Sequence, residues 1–493
     1  MASPPLAKND PIAIVGAGIF GLSTALHLAR RGYTSVTIFD KQPYHETHYD
    51  YFKGCDAASA DCNKIFRCAY GKQSEYMRMS LEARDEWMAW NEELQTGKLV
   101  PPGMSTRDCV FVGNGNLSLT EERELPEFEV ETVRNMERLG WGETQLVTTD
   151  KGDLEVAKRK GFEGMMDPFR RGERAKSYLG VLDTLGGTNY ADKACRFALA
   201  KVVALGVKTV FGEREGTFRE YVYESGKVSG IRTLDGHIHK AARVVMACGG
   251  WTPSLVPELD HLCETTAGSV VIFRIPKDSP LMERYSAKNF PSWTWNVRDG
   301  PTGGLYGFPV TEDGLFKIGY RGEKFTNPKV QRDGKERSVP ATRYTTEEQM
   351  KQIPQQAWKV IQHFLQQYTP ELLQEPGVKV EISRICWYTD SWDNHYVIDF
   401  VPELDRRVLI ATGGSGHAFK YLPNIGKYIA DVLEGKESDR ELLQKWRWRS
   451  RADNPTTTSP IVNTLMEGQE GPRVLRKQKL TQETLVLPGT AHL

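Results

Sequence analysis

Six residues near the N-terminus, Gly16-Ala17-Gly18-Ile19-Phe20-Gly21, carry the first chemistry legible in the chain. An apolar strand pattern over residues 11–15 leads into them, and a helical pattern from Leu22 to Arg31 leaves them. A second strand pattern, Ser35 to Phe39, ends at Asp40. In such a unit Gly16 permits the tight turn, Gly18 lets a pyrophosphate reach the backbone, and Gly21 lets helix and strand pack closely. The helix start offers free N–H groups and a positive dipole end to phosphates. Asp40 is placed to accept hydrogen bonds from ribose hydroxyls. The spacing predicts a dinucleotide site and does not separate FAD from NAD.

Four later places hold residues whose types suggest a reaction site. Asn63-Lys64-Ile65-Phe66-Arg67-Cys68-Ala69-Tyr70-Gly71 sets two cations three residues apart. Gly314-Leu315-Phe316-Lys317-Ile318-Gly319-Tyr320 places a lysine in a strand whose neighbours are apolar. Cys386 lies in Arg384-Ile385-Cys386-Trp387-Tyr388-Thr389, with Asp399 downstream. Another apolar strand, Val408 to Thr412, opens into Gly413-Gly414-Ser415-Gly416-His417-Ala418-Phe419-Lys420-Tyr421, with a helix expected from about Pro423. Gly414 and Gly416 make this a second glycine turn at a helix start, suited to anions or a planar ring. A β-rich block over about 265–325 carries Phe290, Trp293, Trp295, Tyr306 and Phe308, of which two are expected to touch a ligand and the rest to pack a core.

The elements that must position these residues need more than one core. At 493 residues the chain predicts two domains. Helical patterns cover residues 74–95 and 193–205; strand patterns cover 207–211, 218–224, 228–233 and 242–248. Lys plus Arg equals Asp plus Glu at 64 each, so a nucleic-acid partner is not expected. No apolar run reaches the ~18 residues of a membrane span, and the first ten residues lack the apolar stretch of a secretory signal. Eight scattered cysteines show neither metal-ligand nor disulfide spacing, so no metal is expected and a reducing compartment is. The final Ala491-His492-Leu493 resembles a peroxisomal address; without it a cytoplasmic location is expected.

On these five places together the chain resembles the monomeric sarcosine oxidase and amadoriase family of flavin amine oxidases, up to about residue 440. The resemblance implies an α/β fold: a Rossmann-like FAD-binding domain split along the chain (1–95, 181–260, 381–440) and a β-sheet-rich substrate domain (96–180, 261–380), followed by an extension, 441–493. It implies a monomer with FAD joined covalently through Cys386, and Lys64 near the flavin. Lys317 would activate O2, its charge stabilising superoxide as it forms. Arg67 and Lys420 would hold the substrate carboxylate, with Tyr70, Trp293 and Tyr306 as further substrate contacts and Lys420 also beside the cofactor. The implied reaction takes a hydride from the carbon beside nitrogen of an N-substituted amino acid, with O2 becoming H2O2. An N-methyl amino acid is the leading substrate, with ring closure on the iminium as one outcome in secondary metabolism. A fructosyl amino acid, saccharopine or pipecolate are alternatives, and a non-catalytic flavoprotein scaffold is the alternative class. Arg321 stands where sarcosine oxidases have histidine, and the insert between Asp40 and Asp61 is long; both put the substrate in doubt.

Overall fold

The computed structural model describes residues 6–343, 351–436, 441–450 and 468–487. The tripeptide Ala491-His492-Leu493 lies outside them.

The strand Ile12–Val15 is wholly buried and pairs in parallel with Val36–Asp40 on one side and Arg243–Met246 on the other. Lys208–Phe211 extends the sheet beyond Val36–Asp40, and Val408–Thr412 extends it beyond Arg243–Met246. Val397–Phe400 closes that edge antiparallel, giving six strands. The helix Ile19–Arg30 has its apolar residues buried against the helices Ala191–Ala204 and Ile425–Leu433. Gly426 permits the second approach, because a Cβ there would collide with the Ser23 carbonyl. Lys208–Phe211, within the strand pattern over 207–211, belongs to this sheet. The meander proper, Phe218–Glu224, Lys227–Thr233 and Ile238–Lys240, is a separate three-stranded sheet.

An eight-stranded sheet holds the second core. Its order is Lys379–Ser391, Cys263–Arg274, Leu315–Phe325, Leu305–Gly307, Ser292–Trp295, Asn116–Leu119, Gly180–Asp183, Gln145–Val147. Residues 181–183 and 381–391, assigned from sequence to the cofactor part, therefore belong to this sheet. The reason is pairing: Lys379–Ser391 runs antiparallel to Cys263–Arg274 along its whole length, from Cys263 opposite Ser391 to Arg274 opposite Lys379.

Side-chain alternation divides this sheet into two faces. Across neighbouring strands Thr294, Tyr306, Gly319 and Val270 stand opposite one another, and so do Trp293, Gly307 and Ile318. The second set packs inward against the helix Gln355–Tyr368. The Trp293 ring stacks on Phe364 at 4.4 Å, and the Trp295 indole N–H donates to the Tyr368 hydroxyl at 2.9 Å. Trp293 thus fails as a substrate contact: it is one residue out of step with the cavity face, and a single step in a strand reverses the side. Phe290 belongs to the same core, whereas Tyr306 and Phe308 stand on the other face.

The C-terminal residues are less polar in role than their composition suggests. Trp446 is buried and donates its indole N–H to the Tyr76 hydroxyl at 2.9 Å. Arg449 grips Asp393 at 2.6 Å. Leu475, Leu485 and Leu487 join the core of the second sheet.

The packing of Trp293 gives a direct check. Trp293→Ala should cost about 3–5 kcal/mol of stability through the cavity it leaves. Thermal melts would register this, and the Michaelis constant of the active enzyme should stay unchanged.

Candidate active site

One cavity of about 580 Å³ runs between the two sheets. Its first end is the glycine turn. Gly16 adopts φ +107°, and a Cβ there would strike the Ala247 carbonyl; a Cβ on Gly21 would strike the Gly16 carbonyl. Gly18 forms the N-cap of Ile19–Arg30 without a side-chain cap, so the first N–H groups of a 12-residue helix face the cavity. Asp40 lines the same end. Each of its carboxylate oxygens accepts one backbone N–H, from Ala17 at 2.7 Å and Gln42 at 2.8 Å, with lone pairs left for a ribose. These residues fit a dinucleotide: an uncapped helix start, a backbone open to phosphates and an acidic strand end. Beside them Lys41, unremarked in sequence, lies 3.0 Å from the centroid of Trp251, and burial pulls its ammonium down to about 7.

The long insert after Asp40 forms the wall next to this turn. Tyr44 and Tyr49 stack at 3.9 Å, and the Tyr49 hydroxyl donates to the Ala17 carbonyl at 2.9 Å. Asp56, Ala57, Ala58 and Ser59 then line the cavity. The insert thus supports the glycine turn.

The middle of the cavity brings Cys386, Lys64, Tyr306, Phe308 and Arg321 together. Cys386 lies opposite Gly268, and both reach the cavity. Tyr306 lies over Gly319, where a Cβ would overlap its ring. Lys317 shares the cavity face of its strand with Gly319 and Arg321, yet it lies behind the lining, 4.3 Å from the Phe308 ring centroid. Its ammonium donates to the Asn63 carbonyl at 2.6 Å and pairs with Asp61 at 2.9 Å. Asp61 also pairs with Lys64 at 2.7 Å and Arg384 at 3.4 Å. Burial alone would push the Asp61 carboxyl up; Lys317, Lys64 and Arg384 hold it far below the ordinary carboxylate range. Burial in turn lowers Lys317, opposed by Asp61. Asp61, with Asp56 acting on Arg384 as well, faces three cations, which leaves a positive field behind Cys386 and Phe308.

At the far end stand Arg67, Tyr70, Lys420, His417 and Arg298. Lys420 is buried and donates to the Tyr70 hydroxyl at 2.8 Å. Among the described residues no carboxylate pairs with Arg67, Lys420 or Arg321, whereas Arg298 is matched by Glu129 at 3.1 Å. Gly414 and Gly416 both line the cavity. Gly416 (φ +73°) leaves room for the Arg321 guanidinium, which a Cβ would meet at 2.8 Å. The sequence reading passed over His417, Tyr396, Asn394 and Arg298, and it named Arg321 only as a departure. His417 sat inside the quoted glycine motif and was legible there. Among the described residues no group of acids, histidines and cysteines could hold a metal ion, and no helix is long and apolar enough to cross a membrane.

Comparison with known proteins agrees with this geometry. The model of the FAD dependent oxidoreductase family matches residues 11–432. The chain belongs to that family, and the fold and the glycine turn are those of a FAD-dependent oxidoreductase. It is 28% identical over 451 residues to L-saccharopine oxidase of Schizosaccharomyces pombe, covering 89% of this chain and 93% of the relative. It is 25% identical to monomeric sarcosine oxidase of Bacillus sp., covering 87% and 94%. A solved fructosyl peptide oxidase, a thermally stable mutant, superposes with a TM-score of 0.74 at 26% identity, covering 96% of this chain and 99% of the other.

Asp61 makes a testable centre. Asp61→Asn removes the carboxylate that pairs with Lys317, Lys64 and Arg384, and should cost about 3–5 kcal/mol in chemical denaturation. Because its folded-state pKa is depressed, the wild-type contribution is present above the ordinary value of 3.8 and is lost as pH falls through the lower folded value. The variant's stability deficit should therefore be constant from neutrality to about pH 5 and shrink only in stronger acid.

Proposed function

We propose that this chain is an amine oxidase that removes a hydride equivalent from the carbon beside the nitrogen of an N-substituted amino acid, with O2 as acceptor and H2O2 as product. The observation that carries the reading is the pair Arg67 and Lys420, cations without a carboxylate partner among the described residues, at one end of a cavity whose other end is a dinucleotide turn. A flat two-pronged guanidinium and a compact ammonium suit a substrate carboxylate. The names of relatives support the class: sarcosine, N-methyl-L-tryptophan and saccharopine oxidases each take their name from an amino acid carrying a substituent on nitrogen.

Gly16, Gly18, Gly21 and Asp40 would hold the dinucleotide portion of FAD, and Lys64, Gly414 and Gly416 would stand around its ring system, with Cys386 as the point of covalent attachment. FAD supplies the hydride acceptor and the route of electrons to O2. The chain's own residues do the rest. Arg67 and Lys420 fix the carboxylate, so that the carbon next to nitrogen is held in one place. Tyr306 and Phe308 form an apolar wall that keeps water from the nascent imine. The field of Lys317, Lys64 and Arg384, tempered by Asp61, favours negative charge on reduced oxygen.

An N-methyl amino acid is the first substrate to test, since a small N-substituent asks least of the wall around Tyr306. A phenol-bearing substrate would allow the iminium to close a ring, which product analysis would detect. Arg321 favours a second reading. Its guanidinium enters the cavity unmatched by any carboxylate among the described residues, as a substrate with a second acidic group would require.

Two measurements follow. Arg67→Met should raise the Michaelis constant for an N-methyl amino acid by about 10–100-fold, the worth of a charge-assisted hydrogen bond, with flavin content unchanged. Parallel losses of both would remove Arg67 from the substrate clamp. Acid precipitation of the wild type should give a yellow pellet, and Cys386→Ala a colourless pellet under a yellow supernatant. A yellow pellet from the variant would place the covalent bond elsewhere.

A further inference from the structure

The buried end of the cavity holds a chain of hydrogen bonds whose direction can be assigned from its last member. His417 Nε2 lies 3.0 Å from the Asn394 carbonyl, which can only accept, so Nε2 carries the hydrogen and Nδ1 offers a lone pair. Two hydroxyls face that lone pair, Tyr70 at 3.1 Å and Tyr396 at 2.9 Å. The Tyr70 hydroxyl oxygen in turn accepts from Lys420 Nζ, 2.8 Å away. The second oxygen near Lys420 Nζ is the Arg67 carbonyl, at 3.4 Å.

Lys420 is thus surrounded by neutral acceptors and by charge of its own sign. Arg67, Cys68 and Tyr70 face it from the segment 64–71, and His417 and Tyr421 from its own loop. The helix Ser74–Gln95 contributes Trp87, whose indole N–H donates to the Lys420 carbonyl at 2.7 Å, and Tyr76, which packs on Tyr421. Asp183, on Gly180–Asp183, is an acid that acts on it, and that carboxylate already accepts the N–H groups of Cys68 and Ala69. Burial first, and then the Arg67 charge, push the Lys420 ammonium well below its ordinary value.

An incoming amino acid is a zwitterion, and its nitrogen sits on the carbon that bears the carboxylate. A lysine that reaches the carboxylate is therefore also near the ammonium. That ammonium has no lone pair, so it must lose a proton before the adjacent carbon can give up a hydride. We propose that Lys420 enters as a free amine and takes this proton from the substrate. One N–H bond breaks on the substrate and one forms on Lys420 Nζ, with no change in the net charge of the site. The step leaves a free amine ready for oxidation and an ammonium beside the carboxylate it must hold. Lys420 is then both proton acceptor and half of the clamp.

The proposal rests on the carboxylate site described above, and its test separates the two. The flavin-loaded enzyme is mixed in weak buffer at pH 8 with isobutyrate or with α-aminoisobutyrate. The second has an ammonium but no hydrogen on the carbon next to nitrogen, so it cannot be oxidised there. Flavin absorbance reports binding and an indicator dye reports protons. Isobutyrate should take up about one proton per site, because Lys420 must become charged to meet a carboxylate. α-Aminoisobutyrate should exchange none, its own proton having moved to Lys420. Lys420→Arg, permanently charged, should bind isobutyrate without uptake. Binding of isobutyrate to the wild type without proton uptake would show Lys420 already charged, and release of a proton by α-aminoisobutyrate would send that proton to solvent; either overturns the proposal alone. Failure of both ligands to perturb the flavin would remove the carboxylate site and the proposal together.

Discussion

The carboxylate of Asp61 is the interaction on which the site depends. It comes from the segment that links the nucleotide sheet to the short strand Lys64–Phe66, and it meets Lys317 and Arg384 from two strands of the other sheet. Both halves of the molecule thus converge on one buried anion. Ion pairs of this kind add little net stability compared with apolar packing, but removing one member strands the others in a low dielectric. The arrangement makes sense as a way of keeping positive charge fixed beside a reacting centre, with the folding energy of the surrounding sheets offsetting the desolvation.

Space in the cavity is made largely by glycine. Gly319 gives up a side chain so that Tyr306 can lie across its strand, and Gly416 does the same for Arg321. Gly307 plays the matching part on the opposite face, where the Trp293 ring lies over it. The two faces of one sheet are thus shaped by the same device, one for packing and one for a ligand. At the other end Gly16 and Gly21 open the backbone around a helix start. Between these ends the walls change from backbone donors to aromatic rings and then to the cationic side chains of Arg67 and Lys420, which is the order in which phosphates, a flat ring and an acidic substrate would lie.

Much of this was legible in the sequence because it depends on short-range rules. The strand–turn–helix–strand unit ending at Asp40 is a local pattern, and the strands Phe218–Glu224 and Val408–Thr412 follow from their residues. Arg67, Tyr70, Lys420 and Cys386 were found because motifs fix them, and the cavity gathers all four. What failed depends on long-range pairing. Whether Trp293 or Thr294 faces the cavity is a matter of register against Gly307 and Tyr306 on the next strand, which no pattern within Ser292–Trp295 fixes. The assignment of residues 381–391 to a sheet was decided by a partner more than a hundred positions away. Asp61 was visible only as the end of an insert, since nothing nearby announces that Lys317 and Arg384 will reach it. The burial of Leu475, Leu485 and Leu487 was hidden for the same reason: their core lies elsewhere in the chain.

The central claim is that this cavity joins a flavin to an N-substituted amino acid held by its carboxylate. Its most direct test is the visible spectrum of the purified, FAD-loaded protein titrated with an N-methyl amino acid in the absence of oxygen. The account predicts that the flavin band bleaches and returns when air is admitted, with H2O2 formed in equal amount, and that the corresponding N-methyl amine without a carboxylate bleaches it far more slowly. A band that stays unchanged with N-methyl, fructosyl and dicarboxylic N-substituted amino acids alike would contradict the account.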